Sequence, residues 1–176
     1  LIELLVVSAI AVVLAIYLGF EFTGWQGKYK TESQIKKLYT DLMEIKARAL
    51  QRNRSHFIKL DSSTQYTIYE DTDPAPDGDG TLTPGLDTQI KQETIDITNP
   101  LTWSDLADTE IEFTSRGLCN DTKTICINTD LIDNDPSPSG ADYDCLIISF
   151  TRINLGQLTT SIPDGGECNA TNCVAK

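Results

Sequence analysis

The chain has 176 residues, of which 40% are apolar and 23% charged, with a formal net charge of −12. That suits one ordinary domain with an extension and is too apolar for a disordered chain. The acidity excludes general nucleic-acid binding through a basic surface, and a single His, His56, leaves little for a His-rich metal site or a Ser-His-Asp triad.

The averages conceal a division. Residues 1–60 hold nine Lys/Arg and five Asp/Glu, a balance of +4, whereas residues 61–176 hold five and twenty-one, a balance of −16. Leu4 to Phe20 is a run of 17 residues without a charge, at the short end of what crosses a bilayer as a helix. A cleaved signal peptide would carry a basic start and a small-residue cleavage site. Here the first charge is Glu3, and no A-x-A site precedes the polar region. A simple membrane anchor leaves Glu3 costly and unexplained.

Leu1-Ile2-Glu3-Leu4-Leu5-Val6-Val7-Ser8-Ala9-Ile10 resembles the N-terminus of type IV pilins and type II secretion pseudopilins. The resemblance implies a filament-core helix through Leu1, Ile2, Leu4, Leu5, Val6, Val7, Ile10, Val13 and Leu14. It also implies a salt bridge from Glu3 to the N-terminal amine of a neighbouring subunit. A carboxylate in an apolar bundle is costly alone and tolerable when paired. The plainer role for Glu3 is to favour the positive end of the helix dipole. The resemblance further implies a leader and about two mature residues ahead of Leu1, removal of the leader by a prepilin peptidase, and N-methylation.

Three glycines, Gly19, Gly24 and Gly27, fall within nine residues. Each costs about 1 kcal/mol against Ala in a helix. They predict an unwound segment over 19–27, with a restart capped by Thr31 or Ser33. The aromatics Tyr17, Phe20, Phe22, Trp25 and Tyr29 read as packing groups rather than an electron path. From Thr31 to about Arg54, Ile35, Leu38, Leu42, Ile45 and Ala49 recur at spacings of three and four, predicting an amphipathic helix. Lys36, Lys37, Glu44, Lys46, Arg48, Arg52 and Arg54 form its polar side, with Glu44 and Arg48 at a favourable spacing. Asp41 is expected to pair with the neighbours of Ile45 only through solvent. About fifty residues of helix would span roughly 75 Å, so half must project beyond the head.

From residue 56 the pattern turns to strands: 56–60, 65–70, 93–97, 110–114, 124–128, 145–150 and 153–158. The expected fold is α+β, a long N-terminal helix packed on an antiparallel β-sheet or small β-sandwich head. The expected divisions are 1–30 for the hydrophobic helix, 31–55 for its amphipathic half and 56–176 for the acidic head. Arg48 to Asn53, Phe113-Thr114-Ser115-Arg116-Gly117 and Ile148-Ser149-Phe150-Thr151-Arg152 resemble the minor pseudopilin group that includes GspH and FimT. Some FimT-like members bind DNA through basic C-terminal residues; residues 153–176 here contain one Lys and no Arg, so no nucleic-acid partner is expected.

Asp71, Asp73, Asp77 and Asp79 line a Pro- and Gly-rich loop. Oxygen ligands at alternate positions suit Ca²⁺, although the two prolines and the missing twelfth-position Glu spoil an EF-hand match. The competing reading is a solvated turn loop. A second acidic stretch, Asp130 to Asp144, reads first as a long hairpin loop. The triplets at Asn53, Asn120 and Asn169 have the glycosylation pattern but are expected by chance.

Five Cys fit an oxidising location. Cys168 and Cys173 are expected to bridge, since pilins often staple that end. Cys119 could pair with Cys126 across a hairpin turn, leaving Cys145 buried and free; the rival is Cys126 with Cys145 on adjacent strands. No P-loop, dinucleotide motif or nucleophile elbow appears, so no enzyme and no cofactor of its own are expected. The expected role is a structural subunit of an extracellular type IV pilus-like filament. It would wait in the inner membrane and then polymerise with copies of itself through the pilus or secretion assembly machinery. The alternatives are a minor GspH/FimT-like pseudopilin of a secretion or pilus tip complex, and a membrane-tethered binding module.

Overall fold

The computed structural model describes residues 2–76, 78–128 and 140–176, and their side chains except at 2, 4, 5 and 15–26. Helix α1 runs from Ile2 to Arg52 as one element. The unwinding expected over 19–27 is absent from it, and Thr31 lies buried inside the helix rather than capping a restart. Helix propagation adds one hydrogen bond per residue once nucleated, so long flanks carry the weak glycine stretch. The helix ends in a Schellman arrangement: Asn53 takes φ 52°, and the Arg54 amide donates back to the Ala49 carbonyl at 3.2 Å.

Nine strands follow among the described residues: β1 His56–Ser62, β2 Gln65–Glu70, β3 Thr88–Thr94, β4 Leu101–Trp103, β5 Glu110–Phe113, β6 Lys123–Ile127, β7 Cys145–Ile148, β8 Ile153–Leu158 and β9 Cys173–Ala175. They make two antiparallel sheets, ordered β3-β2-β1-β5 and β4-β6-β7-β8-β9. The fold is α+β, with a long helix on antiparallel sheets.

The predicted strand at 93–97 is displaced. Its ladder lies over 88–94 and stops where the Asp96 carboxylate takes the amide and hydroxyl protons of Thr98. That local turn outcompetes the ladder. Strands β4 and β9 are three residues each, too short for alternation to reveal.

One core joins all three layers. Ile35, Leu38, Leu42, Ile45 and Ala49 from α1 meet Ile58, Leu60, Tyr66, Ile111 and Phe113 of the first sheet. Leu101, Ile125, Ile127, Leu146 and Ile148 of the second complete it. Full burial of each large aliphatic side chain is worth about 1.5–3 kcal/mol. The predicted apolar face of the helix is the face that is buried.

Candidate assembly surface

The first turns of α1 contrast with its lower half. Val6, Val7, Ile10, Val12, Val13 and Leu14 are all exposed, Val7 by 65% and Val13 by 66%. Contiguous apolar surface of this kind marks an interaction site in a soluble chain or a lipid-facing segment. Glu3 is exposed in the first turn. Helical spacing sets it on one face with Val7, Ile10 and Leu14, at positions i, i+4, i+7 and i+11. Leu1 and the side chains of Ile2, Leu4 and Leu5, also expected in the filament core, lie outside the described residues, as do those of Tyr17, Phe20, Phe22 and Trp25. Among the described residues no helix is long and apolar enough to cross a membrane.

Polar contacts orient the lower half of the helix on the head. Asp41 corrects the expectation of a solvent-facing acid: it is 5% exposed and points into the helix–sheet seam. The Tyr66 hydroxyl donates to its Oδ2 at 2.6 Å, and Lys91 Nζ reaches both its oxygens at 3.0 Å. Lys91 also pairs with Glu93 at 2.8 Å, and Glu93 pairs with Lys37 back on α1. Burial, and then the bond to Asp41, push the Tyr66 phenol well above its ordinary range. Hydrogen bonds from Lys37 and Lys91 hold Glu93 below the usual carboxylate value. Burial pulls Lys91 down, but Glu93 and Asp41 outweigh it and the net displacement is upward. The signal missed in the sequence is Asp41 falling one residue before Leu42, on the edge of the apolar stripe.

Further contacts frame this seam. Glu32 accepts the Asp142 amide and the Lys36 ammonium, and Lys36 lies 5.1 Å from the Tyr143 ring centroid. Arg52 and Arg54 both pair with the buried carboxylate of Glu70. Glu44 and Arg48 form the expected pair at 2.6 Å.

The cysteine expectations are overturned. The bonds are Cys126–Cys168 and Cys145–Cys173, and Cys119 is the buried free thiol. Cys168 and Cys173 are therefore not joined to each other, nor Cys119 to Cys126, and Cys145 is not free. The segment after β8 folds back over the second sheet, setting Cys168 against β6, while β9 carries Cys173 alongside β8. Cys126 and Cys145 are direct cross-strand partners, yet each bonds to the C-terminal segment instead. Gly156 lies between Cys145 and Cys173, paired with Cys145 in the sheet. A Cβ there would come within 2.8 Å of Cys173 Sγ, so a glycine makes room for the bridge. Burial pushes the Cys119 thiol up to about 11.

The acidic loop is closed by its own backbone. Asp71, 1% exposed, accepts the amides of Asp79 and Gly80, and Asp87 accepts those of Thr72, Asp73 and Thr83. Burial raises the Asp71 carboxyl, partly countered by the Gly80 amide. Asp73 is half-buried and Asp79 exposed, while Asp77 lies outside the described residues. Among the described residues no group of three or more His, Cys, Asp or Glu is placed to hold a metal. In the second acidic stretch 130–139 lies outside the described residues, and Asp144 accepts the Leu158 amide at 2.7 Å.

His56 is fully buried under the end of α1. Its Nδ1 donates to the Arg54 carbonyl at 3.0 Å, and its Nε2 has no hydrogen-bond partner among the described residues. Burial lowers its affinity for a proton.

No protein-family model and no curated protein matches the sequence. Solved structures do match the fold. The minor pseudopilin EpsH from the type II secretion system of Vibrio cholerae aligns at a TM-score of 0.51 and 11% identity, covering 73% of this chain and 96% of that one. The type IV minor pilin FimU of Pseudomonas aeruginosa aligns at 0.52 and 18%, covering 74% and 91%. The resemblance first seen in the N-terminal residues therefore extends to the architecture, and the fold of this chain is the pilin-like fold of a minor pseudopilin and a minor pilin.

Proposed function

We propose that this chain is a structural subunit of a type IV pilus-like filament, polymerising through the exposed apolar start of α1. One observation carries the reading. A single helix is buried along 31–49 by its own head, while its face at Val6, Val7, Ile10, Val13 and Leu14 is left uncovered. Copies of the same helix are the simplest cover, and Glu3 on that face would offset the amine of a neighbour. A charge at the edge of an apolar bundle is tolerated when so paired. Before assembly the same surface would face the lipid of the inner membrane, and afterwards the acidic heads would face outward, keeping the filament soluble. The role is structural rather than enzymatic.

A second reading is favoured by the kind of structures matched, which are named as minor components. In it the chain is a scarce minor subunit of a pseudopilus or pilus tip. Shearing surface filaments and identifying their subunits by mass spectrometry separates the two. A dominant band of this chain supports the main-subunit role, and a trace amount the minor one. Recovery only in membrane fractions would contradict the main-subunit reading. Glu3→Ala is expected to reduce assembly strongly; undiminished yield would refute the role given to Glu3.

A further inference from the structure

Acids outnumber cations in this chain, 26 to 14, and three of the six cations of the head sit in ion pairs. Lys91 joins Asp41 and Glu93, Lys123 joins Asp108, and Lys176 approaches Asp142. Lys59 is half-buried on β1 with no ion pair among the described residues, and Arg116 and Arg152 differ from it. Both are exposed, and neither guanidinium has an ion pair or hydrogen bond among the described residues. Two turns bring them to one place. Leu50 of α1 packs against Gly117 so closely that a Cβ there would lie 2.7 Å from Leu50 Cγ. Lys46 Nζ donates to the Thr151 carbonyl at 2.6 Å. The Cys119 amide donates to the Phe150 carbonyl at 3.0 Å, tying the turns together. Leu50 and Phe150 are each 53% exposed. The result is a small apolar patch flanked by two unpaired guanidiniums.

The complementary chemistry lies at the opposite edge of the first sheet. Asp73 and Asp79 lie between β2 and β3 and meet no cation among the described residues. Glu70 and Phe113 both register on His56, so the two acids and the patch share one end of the sheet. Strands β3 and β5 are three spacings apart, roughly 14 Å.

We infer that these two surfaces are the halves of one contact between copies, the Arg116–Arg152 patch of one head docking on Asp73 and Asp79 of the next. The inference rests on the filament reading above and adds the contact that sets the heads in register. Because the halves lie at opposite edges of the sheet, one head can engage a neighbour on each side, and the contact is heterologous and propagates from copy to copy. Arg and exposed aromatic groups are the side chains that carry interface energy, and charge complementarity sets register.

The test uses the full chain. Arg116→Glu with Arg152→Glu is expected to lower filament yield about tenfold or more. Co-expression with an Asp73→Lys, Asp79→Lys copy is expected to restore it. A chain carrying Arg152→Cys and Asp79→Cys is expected to give a disulfide-linked ladder on oxidation, which decides the matter if the charge variants do not fold. Unchanged yield from a folded double Glu variant overturns the contact and leaves the filament reading standing. So does symmetric dimerisation of Arg152→Cys alone. So does loss of duplex DNA binding in that variant with yield intact, which would assign the patch to a polyanion. Failure of the wild-type chain to assemble overturns the filament reading, and the contact with it.

Discussion

Tyr66 on β2 donates its hydroxyl proton to Asp41 on α1 at 2.6 Å, inside the seam between helix and sheet. The bond joins the stem to the head at a point where neither group has water to fall back on. A helix sliding by one turn would strand both, so the bond selects a single register for a surface that aliphatic packing alone would define loosely.

Removing the phenol tests this. Tyr66→Phe is expected to cost about 1.5–3 kcal/mol, the range for a hydrogen bond to a charged group. Lys91→Met is expected to cost less, because its side chain is 37% exposed and the pair is partly screened. The two share Asp41, so their costs should not add. Denaturant unfolding of the single and double variants measures the coupling, and strict additivity would show that the seam is not one network.

The same network sets a pH profile. Glu93 is lowered from 4.5 in the folded state, so its contribution is present above that value and is lost as pH falls through the lower folded one. Lys91 is raised from 10.5, so its contribution is present below 10.5 and is lost as pH rises through the higher folded value. Lys91→Met is expected to flatten both limbs in thermal melts.

Acid sensitivity should begin earlier, at His56. Its folded value is lowered from 6.5, so stability is full above 6.5 and falls as pH drops from there through the folded value. Protonation would place a charge beneath Arg48 and Arg52 of the last helical turns, with Glu70 the nearby opposing charge. In His56→Asn, which keeps a donor for the Arg54 carbonyl, the decline is expected to start only in the carboxylate range. An unaltered profile would show that His56 does not set it.

Cysteine chemistry offers a covalent check. The native chain should show no fast-reacting thiol, and one, Cys119, after denaturation. Gly156→Val is expected to block the Cys145–Cys173 bond and raise that count to three. Losing a bridge over a separation of 28 residues should cost about 3–4 kcal/mol. Mass spectrometry of alkylated protein reads both outcomes.

Asn53 closes α1 with a positive φ. Asn53→Ala is expected to cost about 1 kcal/mol, and Asn53→Gly to be neutral or slightly stabilising, because only the latter adopts this backbone freely. Equal effects would show that the cap is not conformational.

The sequence by itself determined what depends on nearest neighbours along the chain. Spacings of three and four placed Ile35, Leu38, Leu42, Ile45 and Ala49 in the core, and alternation located β2 and β5, because a repeat puts its apolar side chains on one face whatever covers it. The uncharged run after Glu3 marked the exposed stem in the same way. Tertiary structure alone decided the rest. Asp41 is buried because Tyr66 and Lys91, distant in sequence, arrive to satisfy it. Cys126 bonds Cys168 because the C-terminal segment folds back across the second sheet. Each of these turns on which groups meet across long loops, and that is set by the balance of burial against unmet polar groups over the whole head, which no local pattern records.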